Sequence, residues 1–423
     1  MNYALKGDFV YSENQTTLKT QKDGWLVCVN GRSKGVFEKL PEEYQGLPVR
    51  DYSGKLIIPG MVDLHLHAPQ YAFRGLHMDA QLLDWLNQYA FVEEAKFRDL
   101  GYAERAYGIF ASAMQRSATT RAVIFATAHR EATEILMDKM EQSGLVTYVG
   151  KVNMDRNAPD DLVEASAELS LRETQRWLEE TENRYQRTEP ILTPRFIPSC
   201  TPEVLQGLQK LVREKHLPVQ SHLSENPAEL ELVKKLMPER AFYGDCYEHY
   251  DLFGAKSPTI MAHCIYCVEE EIELMRRNGV YIAHCPSSNM NIGSGIAPVR
   301  SYLDRGMRVG LGSDVAGGEC ESIFGEMKKA IELSKLYQRY LDAAAKPLTL
   351  PEAFWMATVS GGEFFGKVGS FAKGFELDAV VLDDEREAHP QALDLAERLE
   401  RSVYLGADKQ LILAKFVRGE QVL

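Results

Sequence analysis

The stretch PGMVDLHLH, residues 59–67, is the part of the chain from which its fold can best be inferred. The apolar residues 56–58 lead into it, and from Met61 onward the side chains alternate as they do in a strand. His65 and His67 are two residues apart, so on a strand both imidazoles point to the same face. Two neighbouring imidazoles at a strand end form half of a site for zinc or a similar transition metal. The stretch therefore predicts a strand that ends in metal ligands.

Size and charge exclude several classes of partner. The chain has 423 residues, which is enough for one large α/β domain and a smaller one. Its formal net charge is −13 and no Lys/Arg-rich tract stands out. Nucleic acid and anionic membrane surfaces are therefore poor candidate partners, and we expect neither. A free nucleobase is neutral, so an acidic surface does not exclude it.

The seven cysteines and the N-terminus indicate a cytoplasmic protein. The cysteines are scattered and odd in number, as expected for reduced thiols rather than a disulfide framework. The first residues contain no apolar core of a signal peptide. No apolar run reaches the roughly 20 residues that span a bilayer.

The two ends of the chain share a β-rich texture. Short apolar runs separated by Gly, Asp and Asn fill residues 1–55, and similar runs return at 378–382 and 411–420. We therefore predict a composite β-sandwich domain from residues 1–58 and 366–423. A catalytic domain would occupy residues 59–365.

The middle of the chain alternates strand and helix patterns. The strand candidates are Met61–His67, Thr120–Thr127, Leu145–Val152, Ile191–Phe196, Pro218–His222, Thr259–Cys264, Val280–Cys285 and Arg308–Asp314. Amphipathic stretches such as 162–185 and 201–215 lie between them. Eight strand–helix units favour a parallel (β/α)₈ TIM barrel, with a doubly wound open sheet as the alternative. No Gly-x-Gly-x-x-Gly follows an early strand, which argues against dinucleotide binding.

Polar residues end several of the predicted strands. Catalytic groups of such barrels lie at the carboxyl ends of the strands, and the candidates at those ends are His65, His67, His222, His263, His284 and Asp314. Three imidazoles and one carboxylate suit one Zn²⁺ or Fe²⁺ with an open position for water. The predicted metal ligands are His65, His67, His222 and Asp314.

Glu225 follows His222 by three residues and could carry protons beside the metal. The alternative interpretation is a helix-capping acid, because Ser224, Glu225 and Asn226 precede Pro227. Two other patterns are weak. Cys264-x₂-Cys267 has no second pair of cysteines. His129-Arg130-Glu131 matches the H-x-E of one class of zinc deaminases, but the P-C-x-x-C that this class also requires does not follow it.

The motifs resemble those of the amidohydrolase superfamily. PGMVDLHLH is similar to its opening signature, and His222, His263 and GSD at 312–314 follow in its order of site residues. Further blocks resemble the guanine deaminases within it: HAPQY (67–71), TPRF (193–196), SHLSEN (221–226), MAH (261–263), AHCPSSN (283–289) and GLGSDVAGG (310–318). The resemblance extends from about residue 55 to 370.

This resemblance implies a fold, an activity and a cofactor. The fold is a barrel with a β domain from both chain ends, and the reaction is guanine plus water giving xanthine plus ammonia. It implies one zinc per chain, because the end of strand 4 lacks the modified lysine of the two-metal enzymes. Asp314, with His263, would take a proton from water, and Glu225 would carry protons to the purine. We also expect a homodimer.

The proposed substrate contacts can be argued from the residues. Guanine presents O6 and N7 as adjacent acceptors, which a guanidinium such as Arg195 matches with two hydrogen bonds. Gln70 offers both donor and acceptor, and Phe196 an apolar wall. Their alternatives are a salt bridge for Arg195, a solvated loop position for Gln70 and core packing for Phe196. The other predicted substrate contacts are His222, Glu225 and Asp314.

Two other functions remain open from the sequence. One is another barrel aminohydrolase, acting on cytosine, 8-oxoguanine, an adenosine-type substrate or a triazine. Arg195 and Gln70 argue against it without excluding it. The other is a non-enzymatic relative that serves as a scaffold, for which loss of metal ligands would be expected. All four predicted ligands are present.

Overall fold

The structure, a computed structural model, describes residues 1–386, 388–405 and 411–423. Its strands are β1 (Asn2–Asn14), β2 (Thr17–Val29), β3 (Arg32–Phe37), β4 (Val49–Pro59), β5 (Met61–His67), β6 (Thr119–Phe125), β7 (Val146–Gly150), β8 (Val152–Asn153), β9 (Thr188–Pro190), β10 (Thr193–Pro194), β11 (Val219–Leu223), β12 (Thr259–His263), β13 (Tyr281–His284), β14 (Arg308–Leu311), β15 (Ala379–Leu382), β16 (Ile412–Val417) and β17 (Glu420–Gln421).

Helices follow most of the central strands. They are α1 (Leu82–Trp85), α2 (Phe91–Ala95), α3 (Leu100–Arg116), α4 (Arg130–Ser143), α5 (Ala167–Thr181), α6 (Pro202–Lys215), α7 (Pro227–Leu236), α8 (Tyr243–Glu248), α9 (Glu269–Asn278), α10 (Pro286–Asn291), α11 (Val299–Asp304), α12 (Ile323–Tyr340), α13 (Leu350–Trp355) and α14 (Leu395–Leu405). Local sequence sets their ends: the Asp99 carboxylate caps α3, and Gly144 closes α4 in the left-handed region. No helix in the described ranges is both long and apolar enough to span a membrane.

Strands from both chain ends form one sheet. Its order is β17-β16-β15-β4-β1-β2-β3, seven strands among the described residues. β4 lies at the junction, because it pairs parallel with β1 and antiparallel with β15. The predicted β-sandwich is not confirmed, since these strands join a single sheet and not two. Its apolar face contains residues from both ends, including Leu5, Phe9, Phe371 and Phe416.

The central strands are parallel, as the alternating pattern predicts. They form two four-stranded sheets, β5-β6-β7-β9 and β11-β12-β13-β14, and a short pair, β10-β8. The ladder is interrupted between these sheets. A single parallel bridge joins Leu192 to Val219 on one side. On the other side the Asp314 amide donates to the His65 carbonyl (2.8 Å), and the His67 amide donates to the Val315 carbonyl (3.0 Å).

The largest departure from the predicted strands is the fourth. The pattern 191–196 predicts one strand, but the structure contains β9 and β10 with a gap between them. Pro190 and Pro194 lie in this region, and proline has no amide hydrogen to donate to a ladder. Leu192 still joins its neighbour through its amide, which donates to the Pro218 carbonyl (2.9 Å). The backbone of this segment therefore continues in the strand direction without forming one regular strand.

An apolar cluster fills the space between the sheets below the site. Its members come from several central strands and from the segment after α13: Val62, Leu64, Val123, Ile191, Ile260, Ala262, Tyr281, Ala283, Cys285 and Phe364. Polar side chains are concentrated beyond it, at the carboxyl ends of the strands. The parallel arrangement thus brings residues far apart in sequence to one edge of the fold.

Candidate active site

Five predicted site residues meet at this edge because their strands run parallel and in register. His65 and His67 end β5, and His263 ends β12. His222 is the last residue but one of β11, and it pairs with Ala262 of the next strand. Asp314 follows β14 by three residues.

We call His65, His67, His222 and Asp314 the metal cluster. The Nε2 atoms of His65 and His67 lie 3.3 and 3.5 Å from Asp314 Oδ1. His67 Nε2 lies 3.3 Å from His222 Nε2. All four side chains thus direct a metal-binding atom towards one small volume. His263 approaches the same carboxylate, with its Nε2 atom 3.7 Å from Asp314 Oδ2.

The electrostatics of the cluster favour the forms that bind metals. Burial lowers the pKa of His65, His67 and His222, so these imidazoles are neutral. Burial by itself would raise the pKa of Asp314, but His65, His263 and His67 outweigh it, so the net pKa is lowered and the carboxylate is charged. Both ring nitrogens of His65 and Nδ1 of His67 are buried without a hydrogen-bond partner. Such orphaned nitrogens are costly unless another group satisfies them.

Hydrogen bonds at Nδ1 orient two of the imidazoles, those of His222 and His263. His222 Nδ1 lies 2.6 Å from the Arg195 carbonyl oxygen, a hydrogen bond that makes Nδ1 the donor and leaves Nε2 free to accept. His263 Nδ1 lies 2.8 Å from Asn289 Oδ1, on α10. These contacts set both rings with Nε2 towards the centre of the site. Such supports commonly accompany metal-binding histidines.

The backbone at this edge adopts uncommon conformations. Ser224, His263 and Asp314 have φ values of 48°, 71° and 46°, in the left-handed region. Non-glycine residues seldom adopt it, and they cluster at functional sites when they do. At Asp314 and His263 this conformation accompanies side chains that face the site.

Glu225 is a buried acid beside the cluster and not a helix cap. Its Oε2 atom lies 3.5 Å from His263 Nε2, and Ser294 Oγ donates to its Oε1 atom at 2.9 Å. Burial raises the pKa of Glu225. The N-cap of α7 is Asn226, whose side chain accepts from the Ala228 amide (3.0 Å). The capping alternative for Glu225 is therefore wrong.

We call Gln70, Glu94, Arg195 and Phe196 the recognition cluster. Arg195 donates from Nη1 and Nη2 to the two oxygens of Glu94, at 2.6 and 3.0 Å. Gln70 Nε2 donates to Glu94 Oε1 at 2.8 Å, and Gln70 Oε1 accepts from the Ala316 amide at 3.2 Å. Arg195 thus lines the site and also forms a salt bridge. Gln70, at 1% exposure, is not a solvated loop residue.

One pocket connects the two clusters. It is lined by His67, Gln70, Leu82, Trp85, Leu86, Arg195, Phe196, His222, Glu225, His263, Ile292 and Asp314. Leu82, Trp85 and Leu86 form an apolar side of the pocket that sequence reasoning missed. Their spacing of three and four residues is a helical stripe that could have revealed it. Glu94 was also missed, and its sequence context VEEA carries no comparable signal.

Other motifs from the sequence lie apart from this pocket. His284 ends β13 but lines a separate cavity beside α11 and α12. His129 and Glu131 line a third depression, between α4 and α5. Among the described residues, the groups close enough to share a metal include neither Cys264 nor Cys267.

Comparison with known proteins agrees with this geometry. A model of the amidohydrolase family matches residues 56–421. Guanine deaminase of Dictyostelium discoideum is 37% identical over 410 residues, which cover 95% of this chain and 88% of that protein. The Mus musculus enzyme is 36% identical over 441 residues, covering 99% and 96%.

Solved structures show the same relationship. Guanine deaminase from C. acetobutylicum with bound guanine in the active site has a TM-score of 0.97 and 44% identity, covering 100% of both chains. An adenosine deaminase from Xanthomonas campestris with bound zinc has a TM-score of 0.84 but only 19% identity, so it shares the fold alone. The chain belongs to the amidohydrolase family, and within that family it groups with the guanine deaminases.

Proposed function

We propose that this protein catalyses the hydrolytic deamination of guanine to xanthine and ammonia. One observation carries the proposal: the metal cluster and an arginine-containing recognition cluster face each other across a single pocket. The metal cluster would supply the hydrolytic chemistry, and the recognition cluster suits a flat base that carries two adjacent hydrogen-bond acceptors. Similarity to guanine deaminases over nearly the whole chain supports the same substrate.

The proposed fold is a closed (β/α)₈ barrel over residues 59–365, with a small β domain from residues 1–58 and 366–423. The contacts that bridge the two parallel sheets support closure.

We also propose a cytoplasmic homodimer. The seven cysteines are all free, which accords with a reducing compartment.

The residues of the metal cluster fit one zinc or ferrous ion. Three neutral imidazoles, two buried and one half-buried, and an ionised carboxylate are the ligands such an ion takes, and the ion would satisfy the unpartnered Nε2 atom of His65. The zinc assignment is our proposal, with iron as the alternative. When bound, the ion would act as a Lewis acid and lower the pKa of water.

The chain's own groups handle the protons. Asp314 is ionised, so it can accept a proton from the attacking water, while His263 holds its Oδ2 side. The water oxygen bonds to guanine C2. Glu225, whose pKa is raised by burial, can hold a proton and deliver it to the ring nitrogen next to C2. The C2–N bond then breaks as Asp314 passes its proton to the amine, which leaves as ammonia, and the C2 hydroxyl returns a proton to Glu225 as its oxygen becomes the carbonyl of xanthine.

The recognition cluster holds the base. A guanidinium has five N–H donors, and the Glu94 contacts use two, so three remain for guanine O6 and N7. Gln70 retains one N–H beyond the one given to Glu94. Phe196 and the apolar residues of α1 exclude water from the flat faces of the ring.

A substrate panel tests the proposed function. Purified protein is incubated with guanine, adenine, cytosine and 8-oxoguanine, and the release of ammonia and the formation of each product are followed. We expect guanine to be converted, and adenine to be disfavoured by roughly 10⁴ to 10⁵, as for sites that pair a specific polar group. Comparable kcat/KM values for guanine and adenine would contradict the proposal.

A further inference from the structure

Glu94 is a fully buried carboxylate to which the known chemistry of the site gives no role. It lies on α2 at 0% exposure, and its hydrogen bonds reach neither the metal cluster nor Glu225. Its partners are instead Arg195 and Gln70. We infer that Glu94 is the positioning residue that determines purine specificity, an inference that rests on the proposed function.

The geometry shows how Glu94 would act. Two parallel hydrogen bonds to one carboxylate fix both the plane and the direction of the Arg195 guanidinium. The Phe91 ring lies 4.8 Å from that guanidinium and supports its face. Gln70 cannot exchange its amide ends, because Nε2 donates to Glu94 while Oε1 accepts from the Ala316 amide. The pocket therefore presents donors whose directions are set before the base arrives.

The charge of Glu94 has a second consequence. Arg195 is the only lysine or arginine among the described residues that line the pocket, and Glu94 neutralises it. The recognition side is thus neutral overall and suited to a neutral base. Without the carboxylate, a buried guanidinium would stand alone, and an uncompensated buried charge attracts an anion. Glu94 therefore discriminates against anionic purines as well as against adenine.

Glu94 also links base recognition to the apolar side of the pocket. Residues 82–95 form one continuous helical segment, in which a π-turn at Leu86–Ala90 joins α1 to α2. Trp85 lines the pocket near the start of this segment, and Glu94 holds Arg195 near its end. The same helical segment therefore sets the position of Arg195, which would hold the base, and of Trp85, which would cover its ring.

Glu93 provides a matched control. It is the adjacent residue, also buried, and it also forms an ion pair, with Lys96 Nζ at 2.5 Å. Its other partner is the Tyr102 hydroxyl, and it does not line the pocket. Both variants remove a buried carboxylate from the same helix, but only Glu94→Gln changes the hydrogen bonds that orient Arg195. Comparing them therefore separates the two effects.

The experiment measures kcat and KM for guanine and adenine, metal content and thermal unfolding in the wild type and both variants. For Glu94→Gln we expect KM for guanine to rise on the order of 10- to 100-fold, the effect of a lost charged hydrogen bond, with a smaller change in kcat. The guanine-to-adenine ratio of kcat/KM should fall at least about tenfold. Glu93→Gln should match the wild type, and metal content should be unchanged throughout.

Product inhibition tests the charge argument. Xanthine loses a proton in alkaline solution, so its inhibition constant is compared at pH 6 and pH 9. From pH 6 to pH 9 the inhibition constant of xanthine should fall more in Glu94→Gln than in the wild type, because the unpaired Arg195 would attract the xanthine anion. An unchanged guanine KM and selectivity in Glu94→Gln, or an equal change in Glu93→Gln, would overturn the inference while leaving the proposed function intact.

A second variant tests the inference in case Glu94→Gln does not fold. If Glu94→Gln unfolds, Glu94→Asp keeps the charge but shortens the side chain, so it weakens the two hydrogen bonds that orient Arg195. It should raise KM and lower selectivity to a smaller extent, and an unchanged KM and selectivity would overturn the inference. A wild type that releases no ammonia from guanine would overturn both this inference and the proposed function.

Discussion

The metal cluster and the recognition cluster face one pocket, but the fold builds them in different ways. Ligands of the metal cluster lie at or just beyond the ends of parallel strands, where backbone ladders set their spacing. The recognition cluster comes from a 3₁₀ turn at Ala68–Phe73, the irregular segment after β10, and α2. Of its members, Gln70 and Arg195 are held by hydrogen bonds to Glu94. Strand register therefore positions the metal cluster, and side-chain hydrogen bonds position the recognition cluster.

Removal of the metal cluster should have the largest effect. His222→Ala removes one of three imidazole ligands, so we expect metal loss and no ammonia release from guanine. Elemental analysis should find about one Zn²⁺ or Fe²⁺ per wild-type chain. Chelation should abolish activity, and added metal should restore it only in the wild type. His249→Ala, at an exposed position, is the control, and two metal ions per wild-type chain would contradict the prediction.

Glu225→Gln tests the proposed role of Glu225 as a proton carrier. It preserves shape and removes the ionisable proton, so kcat should fall by a factor on the order of 10² to 10⁴ with normal metal content. Glu231→Gln, an exposed change on α7, which begins two residues after Glu225, should have no effect. Near-normal turnover in Glu225→Gln would show that protons move by another route.

Arg195→Ala tests the recognition cluster directly. Loss of hydrogen bonds from a charged group should lower kcat/KM for guanine by about 10² to 10³, with the metal retained. Adenine should lose less, since it has no O6 acceptor. Arg213→Ala removes an exposed arginine that pairs with Asp251 and serves as the control. If guanine kinetics were unchanged in Arg195→Ala, the recognition cluster would not bind guanine as proposed.

The prediction with the smallest effect on activity concerns the stability of the fold behind the metal cluster. Glu326 on α12 is buried and accepts from the Ser287 amide (3.1 Å), beside α10, which carries Asn289. Burial raises the pKa of Glu326 to about 8, against an ordinary 4.5. Between these values the folded chain holds a proton that the unfolded chain has released, so the free energy of unfolding falls as pH rises.

Glu326→Gln should remove this dependence. Urea unfolding between pH 5 and 8 should show a wild-type slope steeper than that of the variant by at most about 1.4 kcal/mol per pH unit. Glu332→Gln, exposed on the same helix, should follow the wild type. Parallel slopes for wild type and Glu326→Gln would show that Glu326 is ionised in the folded chain.

The sequence by itself indicated the parallel α/β architecture and the metal cluster. Alternation of strands and helices predicts parallel strands, and β5 begins and ends at the predicted residues 61 and 67. Because parallel strands bring their carboxyl ends together, residues as distant as His65 and Asp314 could be placed at one edge from their positions in the pattern. Local periodicity carries this information.

Only the tertiary structure decided the partners of Arg195, the place of Glu225 and the way in which the strands of the two chain ends pair. An acid such as Glu94 looks like any other helix residue in the sequence, and its contacts span 24 and 101 positions along the chain. The sequence left open whether Glu225 caps α7, and the structure assigns that role to Asn226. The strands from both ends form one sheet, where their pattern predicted a sandwich. Such choices depend on which surfaces pack together, and no local pattern encodes them.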